Sequence, residues 1–132
     1  MSRLVFFLFF VFLSAKEIEF PFKIDLKKDE VAYFDVYYLN KVYPFSFRWT
    51  LFINDILTVL YRYDNFPRQI TLYKDPPLNT FKVPIAKIPD MYPYFYIEFR
   101  AFNGKIATFY IYLMNNKNIK VDYKGKKWVI MK

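Results

Sequence analysis

Short segments rich in β-branched and aromatic residues, with apolar and polar side chains in alternation, follow one another from residue 17 to residue 131. This alternation has the two-residue period of a β-strand, and Pro, Gly, Asn and Asp residues typical of turns separate the segments. The predicted strands are residues 17–24, 31–39, 45–53, 56–63, 69–73, 80–86, 94–102, 105–114, 118–123 and 127–131. So many short strands predict an all-β sandwich or barrel, and we expect a single-domain antiparallel β-sandwich.

The first fifteen residues have a different pattern. A positive charge at Arg3, an unbroken apolar run over residues 4–13 and small residues at Ser14 and Ala15 are typical of a secretory signal peptide. The apolar run is shorter than the roughly 20 residues that a membrane-spanning helix requires. We therefore expect cleavage after Ala15 and export to the periplasm or the medium. The sequence leaves open whether the segment is instead retained as an anchor.

Residues 16–132 have the length of one domain and are expected to form the sandwich. The chain has no cysteine, so packing alone must hold this domain together. Its 20 basic and 12 acidic residues give a net charge of +8, which favours an acidic partner or surface. Residue types with A/T-rich codons, such as Phe, Tyr and Lys, are abundant, which indicates a bacterial genome of low GC content. That bias reduces the value of the charge as a functional signal.

Two hairpins are the best-defined local features, with predicted turns at Asn54-Asp55 and Asn103-Gly104, and a third turn is predicted at Lys124-Gly125. A two-residue turn fixes which side chains share a face. The predicted core faces are Phe47, Trp49, Leu51, Ile53, Ile56, Thr58, Leu60 and Arg62 in the first hairpin, and Phe95, Ile97, Phe99, Ala101, Ile106, Thr108, Tyr110 and Tyr112 in the second. The reverse faces are too apolar for open water, so we expect other parts of the chain or a partner to cover them.

The run Phe95-x-Ile97-x-Phe99-x-Ala101-x-Asn103-Gly104 resembles the penultimate strand and following turn of fibronectin type III domains. Trp49 likewise resembles the early core tryptophan of that family. The match has Phe95 where the family places a tyrosine, and it leaves residues 118–132 as an extra segment. The resemblance implies an immunoglobulin-like or fibronectin III-like sandwich, a fold that hosts many unrelated functions.

The side chains on which most enzymes depend are missing. Without histidine or cysteine the chain lacks the commonest general base, the commonest metal ligand and the thiol nucleophile. With only two glycines, phosphate-binding glycine-rich loops are excluded. We therefore predict no catalytic role, no cofactor and no metal. The alternative is a carboxylate-dependent enzyme acting on an envelope glycan, with Asp35 and Glu98 as the mid-strand candidates.

A nucleic-acid binder is a second alternative, because basic residues interleaved with aromatic ones can hold a single strand. Its predicted footprint is Tyr61, Arg62, Tyr63, Arg68, Lys124, Lys126, Lys127 and Trp128. The expected export argues against a nucleic acid as the partner.

The pattern as a whole favours a non-catalytic binding or assembly module. We expect it to engage a protein or an anionic envelope component, or a second copy of itself in a homodimer, through an aromatic sheet face or an exposed edge strand. The residues expected to contact the partner are Arg48, Phe52, Leu57, Val59, Tyr61, Tyr63, Tyr94, Tyr96, Phe109 and Ile111.

Overall fold

The computed structural model describes residues 16–86, 92–116 and 118–128, so the predicted signal segment lies outside the described residues. The strands are β1 (Lys16–Glu17), β2 (Phe22–Lys27), β3 (Glu30–Tyr38), β4 (Lys41–Ile53), β5 (Ile56–Tyr63), β6 (Phe66–Tyr73), β7 (Thr80–Pro84), β8 (Tyr94–Phe102), β9 (Ile106–Met114) and β10 (Lys120–Trp128). No helix long and apolar enough to cross a membrane occurs in these ranges. The predicted all-β fold is confirmed.

The strands form two antiparallel sheets that pack face to face, as in a β-sandwich. The six-stranded sheet has the order β1-β10-β3-β4-β5-β6, and the four-stranded sheet has the order β2-β9-β8-β7. Strands β3 to β6 form an uninterrupted meander, and β8 lies between its chain neighbours β7 and β9. Immunoglobulin constant-type domains instead distribute seven strands over sheets of the order ABED and CFG, without a four-strand meander in one sheet. The architecture is therefore that of a sandwich, with a strand order of its own.

Three hairpin turns contain two residues with positive φ, the geometry of type I′ turns, whose twist matches that of paired strands. These turns are Leu39-Asn40, Asn54-Asp55 and Asp64-Asn65. The predicted turn at Asn54-Asp55 is confirmed by the pairing of Ile53 with Ile56. The other predicted hairpin is also present, but its turn residues are Gly104 and Lys105, because the Asn103 N–H donates to the Ile106 carbonyl oxygen at 3.2 Å.

The prediction of a third turn at Lys124-Gly125 is wrong, because both residues continue β10. Pairing with β3 shifts register between Tyr123 and Gly125, so Lys124 is an extra residue in a β-bulge. The last two predicted strands therefore both fall on β10, which begins at Lys120, two residues later than predicted; residues 129–131 lie outside the described residues. The first predicted strand is divided in the structure into β1 and β2.

A one-residue bulge interrupts each of the two long hairpins. In the first, Trp49 pairs with Val59 and Leu51 with Thr58, which leaves Thr50 without a partner. In the second, the register shifts in the same way between Phe99 and Ala101, so that Arg100 is the extra residue. One extra residue reverses the facing of the strand beyond it relative to its partner. The predicted core faces are therefore right for β4 up to Trp49 and for β8 up to Phe99. They are wrong beyond the bulge on these two strands and along the whole of β5 and β9, where the alternate residues face the core.

Beyond the bulges, Phe52 and Phe102 join the other inward aromatic residues of the two hairpins in one core between the sheets. Phe45 stacks on Phe95 with ring centroids 5.1 Å apart, and Phe47 meets Phe109 edge-on at 5.2 Å. The Trp49 indole N–H donates to the Leu26 carbonyl oxygen on the opposite sheet at 2.7 Å. Each fully buried Phe side chain contributes roughly 1.5–3 kcal/mol of transfer free energy, so these contacts are a main source of cohesion between the sheets.

Candidate binding surfaces

Four residues of the predicted partner-binding set lie in the core. Leu57, Val59 and Phe109 are fully buried, and Ile111 is 1% exposed. The predicted outward orientation of these side chains is wrong, because the register derived from the sequence contained no bulge in either hairpin. The opposite sheet of the same chain covers them.

Phe52, Tyr61 and Tyr63 are half-buried and pack against the same core, so their predicted outward orientation is wrong as well. The ring of Tyr61 stacks on that of Phe81 at 5.5 Å. The Tyr63 hydroxyl donates to the Ile85 carbonyl oxygen at 2.9 Å and joins β5 to the segment that follows β7. These side chains therefore connect the two sheets.

Alkaline pH is expected to weaken this connection. Burial raises the pKa of Tyr63 well above its usual value near 10, and Tyr43 and Asp64 raise it further. The unfolded chain then loses its proton first, so stability is unaffected below about pH 10 and falls as the pH rises further, by no more than about 1.4 kcal/mol per pH unit. In urea titrations, the free energy of unfolding of Tyr63→Phe should fall less steeply above about pH 10 than that of the wild type.

The control for this prediction is Tyr33→Phe, which removes an exposed hydroxyl on the outer side of the six-stranded sheet. Tyr123, whose pKa is raised by burial and by Glu30, contributes to the alkaline loss in every variant alike. Equal slopes for Tyr63→Phe and Tyr33→Phe would contradict the assignment.

The outer side of the six-stranded sheet forms a shallow concavity of about 1060 Å³. Its lining includes Tyr33, Arg48, Arg62, Lys124 and Lys127, a set that we call the basic face. These residues come from β3, β4, β5 and β10, which are adjacent in the sheet in the order β10-β3-β4-β5. Arg48 is the one member that the partner-binding prediction contained.

The charges of the basic face are incompletely balanced. Arg48 Nη1 lies 3.4 Å from Asp29 Oδ1 in the turn between β2 and β3. Arg62 and Lys127 make no ion pair with any residue in the described part of the chain. Cations that line a concave surface focus the positive potential over it, so this side of the sheet attracts anions.

Two acidic residues lie at the margin of the basic face. Asp35 and Asp122 are register partners on β3 and β10. Lys124 Nζ lies 3.4 Å from Asp35 Oδ2, and Asp122 Oδ1 is buried without a hydrogen-bond partner among the described residues. Like charges directly opposite each other destabilise a sheet, and the ammonium group of Lys124 offsets part of that cost.

The residues of the basic face are arranged in rows that cross the strands. Gly125, Tyr33, Ser46 and Arg62 are successive register partners on β10, β3, β4 and β5. The Tyr33 side chain is 39% exposed. A Cβ added at Gly125 would have no atom within 4 Å, so the space beside the ring is open. The tyrosine ring therefore lies between two positions with little or no side chain.

One end of the same outer side is apolar. Ile53, Ile56 and Tyr73 are successive register partners, and Leu51 is the next outward residue on β4. Leu51, Ile53 and Tyr73 are 45%, 53% and 46% exposed. The predicted register placed Leu51 and Ile53 in the core and so missed this patch, which exists because the bulge at Thr50 turns both residues outward.

The outer side of the four-stranded sheet carries Tyr94, Tyr96, Tyr110 and Tyr112, which we call the tyrosine face. The rings of Tyr96 and Tyr112 lie 6.2 Å apart. The Arg100 guanidinium group lies 3.8 Å from the Tyr110 ring centre and donates to the Tyr112 hydroxyl at 2.9 Å. Tyr94 and Tyr96 are therefore outward, half-buried side chains, as the sequence predicted for them.

The predicted nucleic-acid footprint comes together only in part. Arg62, Lys124 and Lys127 share the basic face, whereas Tyr61 and Tyr63 face the core. Arg68 also lines the concavity, at the edge strand β6, although as the register partner of Tyr61 it belongs to the inner side of the sheet. The remaining two residues also leave the face: Lys126 Nζ donates to the Asp25 carbonyl oxygen at 2.9 Å, and Trp128 lies under Lys27 at 5.6 Å.

The two predicted catalytic carboxylates are far apart in the fold. Asp35 lies on the outer side of the six-stranded sheet, and Glu98 lies on the outer side of the four-stranded sheet, opposite Tyr110. Two carboxylates that act on one glycosidic bond must flank it, and these two cannot. No group of three or more acidic side chains suited to a metal ion occurs among the described residues.

Comparison of this chain with protein-family models, with curated proteins and with solved structures finds no match.

Proposed function

We propose that the chain is an exported, non-catalytic binding or assembly module that holds an anionic component of the cell envelope on its basic face. The observation that carries the proposal is the gathering of Arg48, Arg62, Lys124 and Lys127 over one concavity of the larger sheet. The net charge of +8 alone would be weak support, because it follows from codon bias as readily as from function. Clustering on one concave face is a property of the fold, and composition does not supply it.

Physical chemistry links this arrangement to an anionic partner. Neighbouring cations on one face repel each other, and an incoming anion relieves that repulsion while it gains from the focused potential. Arginine adds direction to the attraction, since its planar guanidinium group can donate two parallel hydrogen bonds to a carboxylate or a phosphate.

The tyrosine face supports a second partner, a protein that binds to the outer side of the four-stranded sheet. Tyrosine is enriched at protein interfaces because it offers a large apolar ring together with a hydrogen-bonding hydroxyl. A second copy of the chain is included among these partners. In this proposal the two outer sides have separate roles, with a charged ligand on one sheet and a protein on the other.

Strand addition at the edge of β6 is the less favoured mode. Within the β5–β6 hairpin, the outward-pointing backbone groups of β6 belong to Pro67, Gln69, Thr71 and Tyr73. Pro67 has no N–H to donate, and the N–H of Tyr73 already donates to the Leu78 carbonyl oxygen at 2.9 Å. The short open stretch that remains offers few hydrogen bonds to an added strand.

The proposal includes that the sandwich is immunoglobulin-like or fibronectin III-like and acts as a scaffold for recognition. The alternating run from Phe95 to Ala101 supports it, whereas the strand order does not. Export rests on residues 1–15 of the sequence.

The test compares two double variants that lower the net charge equally. R62E/K127E reverses two cations of the basic face, and K23E/K82E reverses two exposed lysines on the four-stranded sheet. We expect R62E/K127E to raise the dissociation constant for soluble polyglutamate at least roughly 100-fold, because each charged contact contributes about 1.5–3 kcal/mol. K23E/K82E should change it much less. Titration calorimetry at fixed ionic strength measures both.

Equal weakening by the two double variants would mean that net charge alone attracts the polymer, and the proposal would be wrong. It would also be wrong if the wild-type protein bound no polyanion at low salt. Circular dichroism of each variant establishes that the fold is intact.

A further inference from the structure

We infer that the anionic partner is an acidic polysaccharide whose chain lies across the β-strands and passes over Tyr33. This inference rests on the proposed function of the basic face. Three features of that face carry it: the separation of its cations, the open position of the tyrosine ring, and the alignment of that ring with Arg62 in one row.

The separation of the cations requires a ligand with several charges. Lys124 and Lys127 lie on β10 and Arg62 lies on β5, with β3 and β4 between them. Neighbouring strands are about 4.8 Å apart, so the two groups of cations are separated by about 14 Å across the sheet. A single small anion cannot contact both sides. A chain with repeated negative charges can.

The ring of Tyr33 provides a platform between those charges. It is 39% exposed and has Gly125 on one side and Ser46 on the other. Because neither neighbour rises beside it, a flat unit of a ligand can lie on the ring without displacing a side chain. Stacking of this kind would place a ring of the ligand between its charged groups, one strand from the lysines of β10 and two strands from Arg62 on β5.

The alignment separates a polysaccharide from a nucleic acid. Tyr33 and Arg62 belong to one cross-strand row, with Ser46 between them. In an acidic polysaccharide the rings are links of the chain and carry the charges themselves, so rings and charges follow one line. In a single-stranded nucleic acid the bases project sideways from the phosphates, which requires aromatic residues beside a line of cations. The other aromatic residues that line the concavity, Phe34, Phe45, Phe47 and Tyr61, belong to the core or pack against it, so Tyr33 is the one described aromatic residue of that lining whose side chain is outward.

Arg62 is the residue best placed to recognise the charged group. It makes no ion pair within the described part of the chain, and it is exposed at the end of the row. Its guanidinium group can donate two hydrogen bonds to one carboxylate, whereas a lysine at this position would offer only a point charge.

The experiment measures binding of three polymers to the full protein: oligogalacturonate, which has rings and carboxylates; polyglutamate, which has carboxylates on a flexible chain without rings; and oligothymidylate. We expect Tyr33→Ala to weaken oligogalacturonate binding about tenfold and to leave polyglutamate binding nearly unchanged, because only the former loses stacking. Arg62→Gln should weaken both acidic polymers about tenfold. The matched controls Tyr96→Ala and Lys23→Gln, on the other sheet, should change neither by more than about twofold.

The outcomes separate this inference from the proposed function. If wild-type protein binds polyglutamate but Tyr33→Ala leaves oligogalacturonate affinity unchanged, the polysaccharide assignment is wrong and the anion-binding function stands. Tighter binding of oligothymidylate than of oligogalacturonate at equal ionic strength would assign the face to nucleic acid. If no polymer binds, both proposals are wrong.

Discussion

Replacement of Phe109 by alanine is expected to lower the free energy of unfolding by about 3–5 kcal/mol. The ring is fully buried, meets Phe47 edge-on at 5.2 Å and lies 5.8 Å from Phe99. These neighbours belong to both sheets and are held by contacts of their own, so they cannot collapse fully into the space that the ring leaves. Equilibrium unfolding in urea measures the loss.

The matched control is Tyr110→Ala, one residue further along β9. Tyr110 points to the outer side, where its ring lies under the Arg100 guanidinium group, and its loss should cost about 1 kcal/mol or less. A strand without the bulge at Arg100 would reverse this ranking, because Tyr110 would then face the core and Phe109 the solvent. Phe109→Leu provides a milder variant if Phe109→Ala does not fold, and it should still be less stable than Tyr110→Ala.

The strands and most turns of this fold follow from local properties of the sequence. Alternating β-branched and aromatic residues form strands because such side chains fit a pleated, half-buried surface. Asn54-Asp55 forms a tight turn because both residues tolerate positive φ. These preferences act over a few residues, and a single sequence is enough to reveal them.

Bulges are different, because they depend on the partner strand. Thr50 and Arg100 have no unusual local propensity, and what selects a bulge at each is the burial of aromatic residues on both sides of it. In β4, Trp49 and Phe52 both face the core only if one residue between them is unpaired. Both faces of each hairpin are apolar in the sequence because the bulged strand changes face partway along its length. The regular register assumed for the prediction did not include that change.

The basic face could not be predicted from the sequence for a related reason. Its cations lie far apart along the chain, from Arg48 to Lys127, and they meet only because β10 inserts beside β3. Nothing local in residues 118–128 indicates that neighbour. Alternation predicts the outward facing of Arg48, but the predicted register placed Arg62 on the core face, which is wrong. The gathering of these cations on one concave surface required the strand order.

Deletion of Thr50 is expected to be tolerated, with a change in the free energy of unfolding within about 1 kcal/mol, whereas deletion of Arg48 should cost at least about 3 kcal/mol. Without Thr50 the ladder becomes regular: Trp49 still pairs with Val59, and Leu51 still pairs with Thr58. Every side chain of β4 then keeps its facing, because the residue removed is the one that had no partner. Urea unfolding of the two deletion variants measures the difference.

Deletion of Arg48 removes a paired residue from the same strand, only two positions away, and the consequence is opposite. The side chains on one side of the gap must change face, and the arrangement that disturbs fewest of them turns Trp49 outward and Thr50 inward. The indole then loses its burial and its 2.7 Å hydrogen bond to the Leu26 carbonyl oxygen. Equal losses of unfolding free energy for the two deletions would show that Thr50 is an ordinary paired residue of the ladder. The assignment of the inner and outer faces of β4 would then have to be reversed on one side of Thr50.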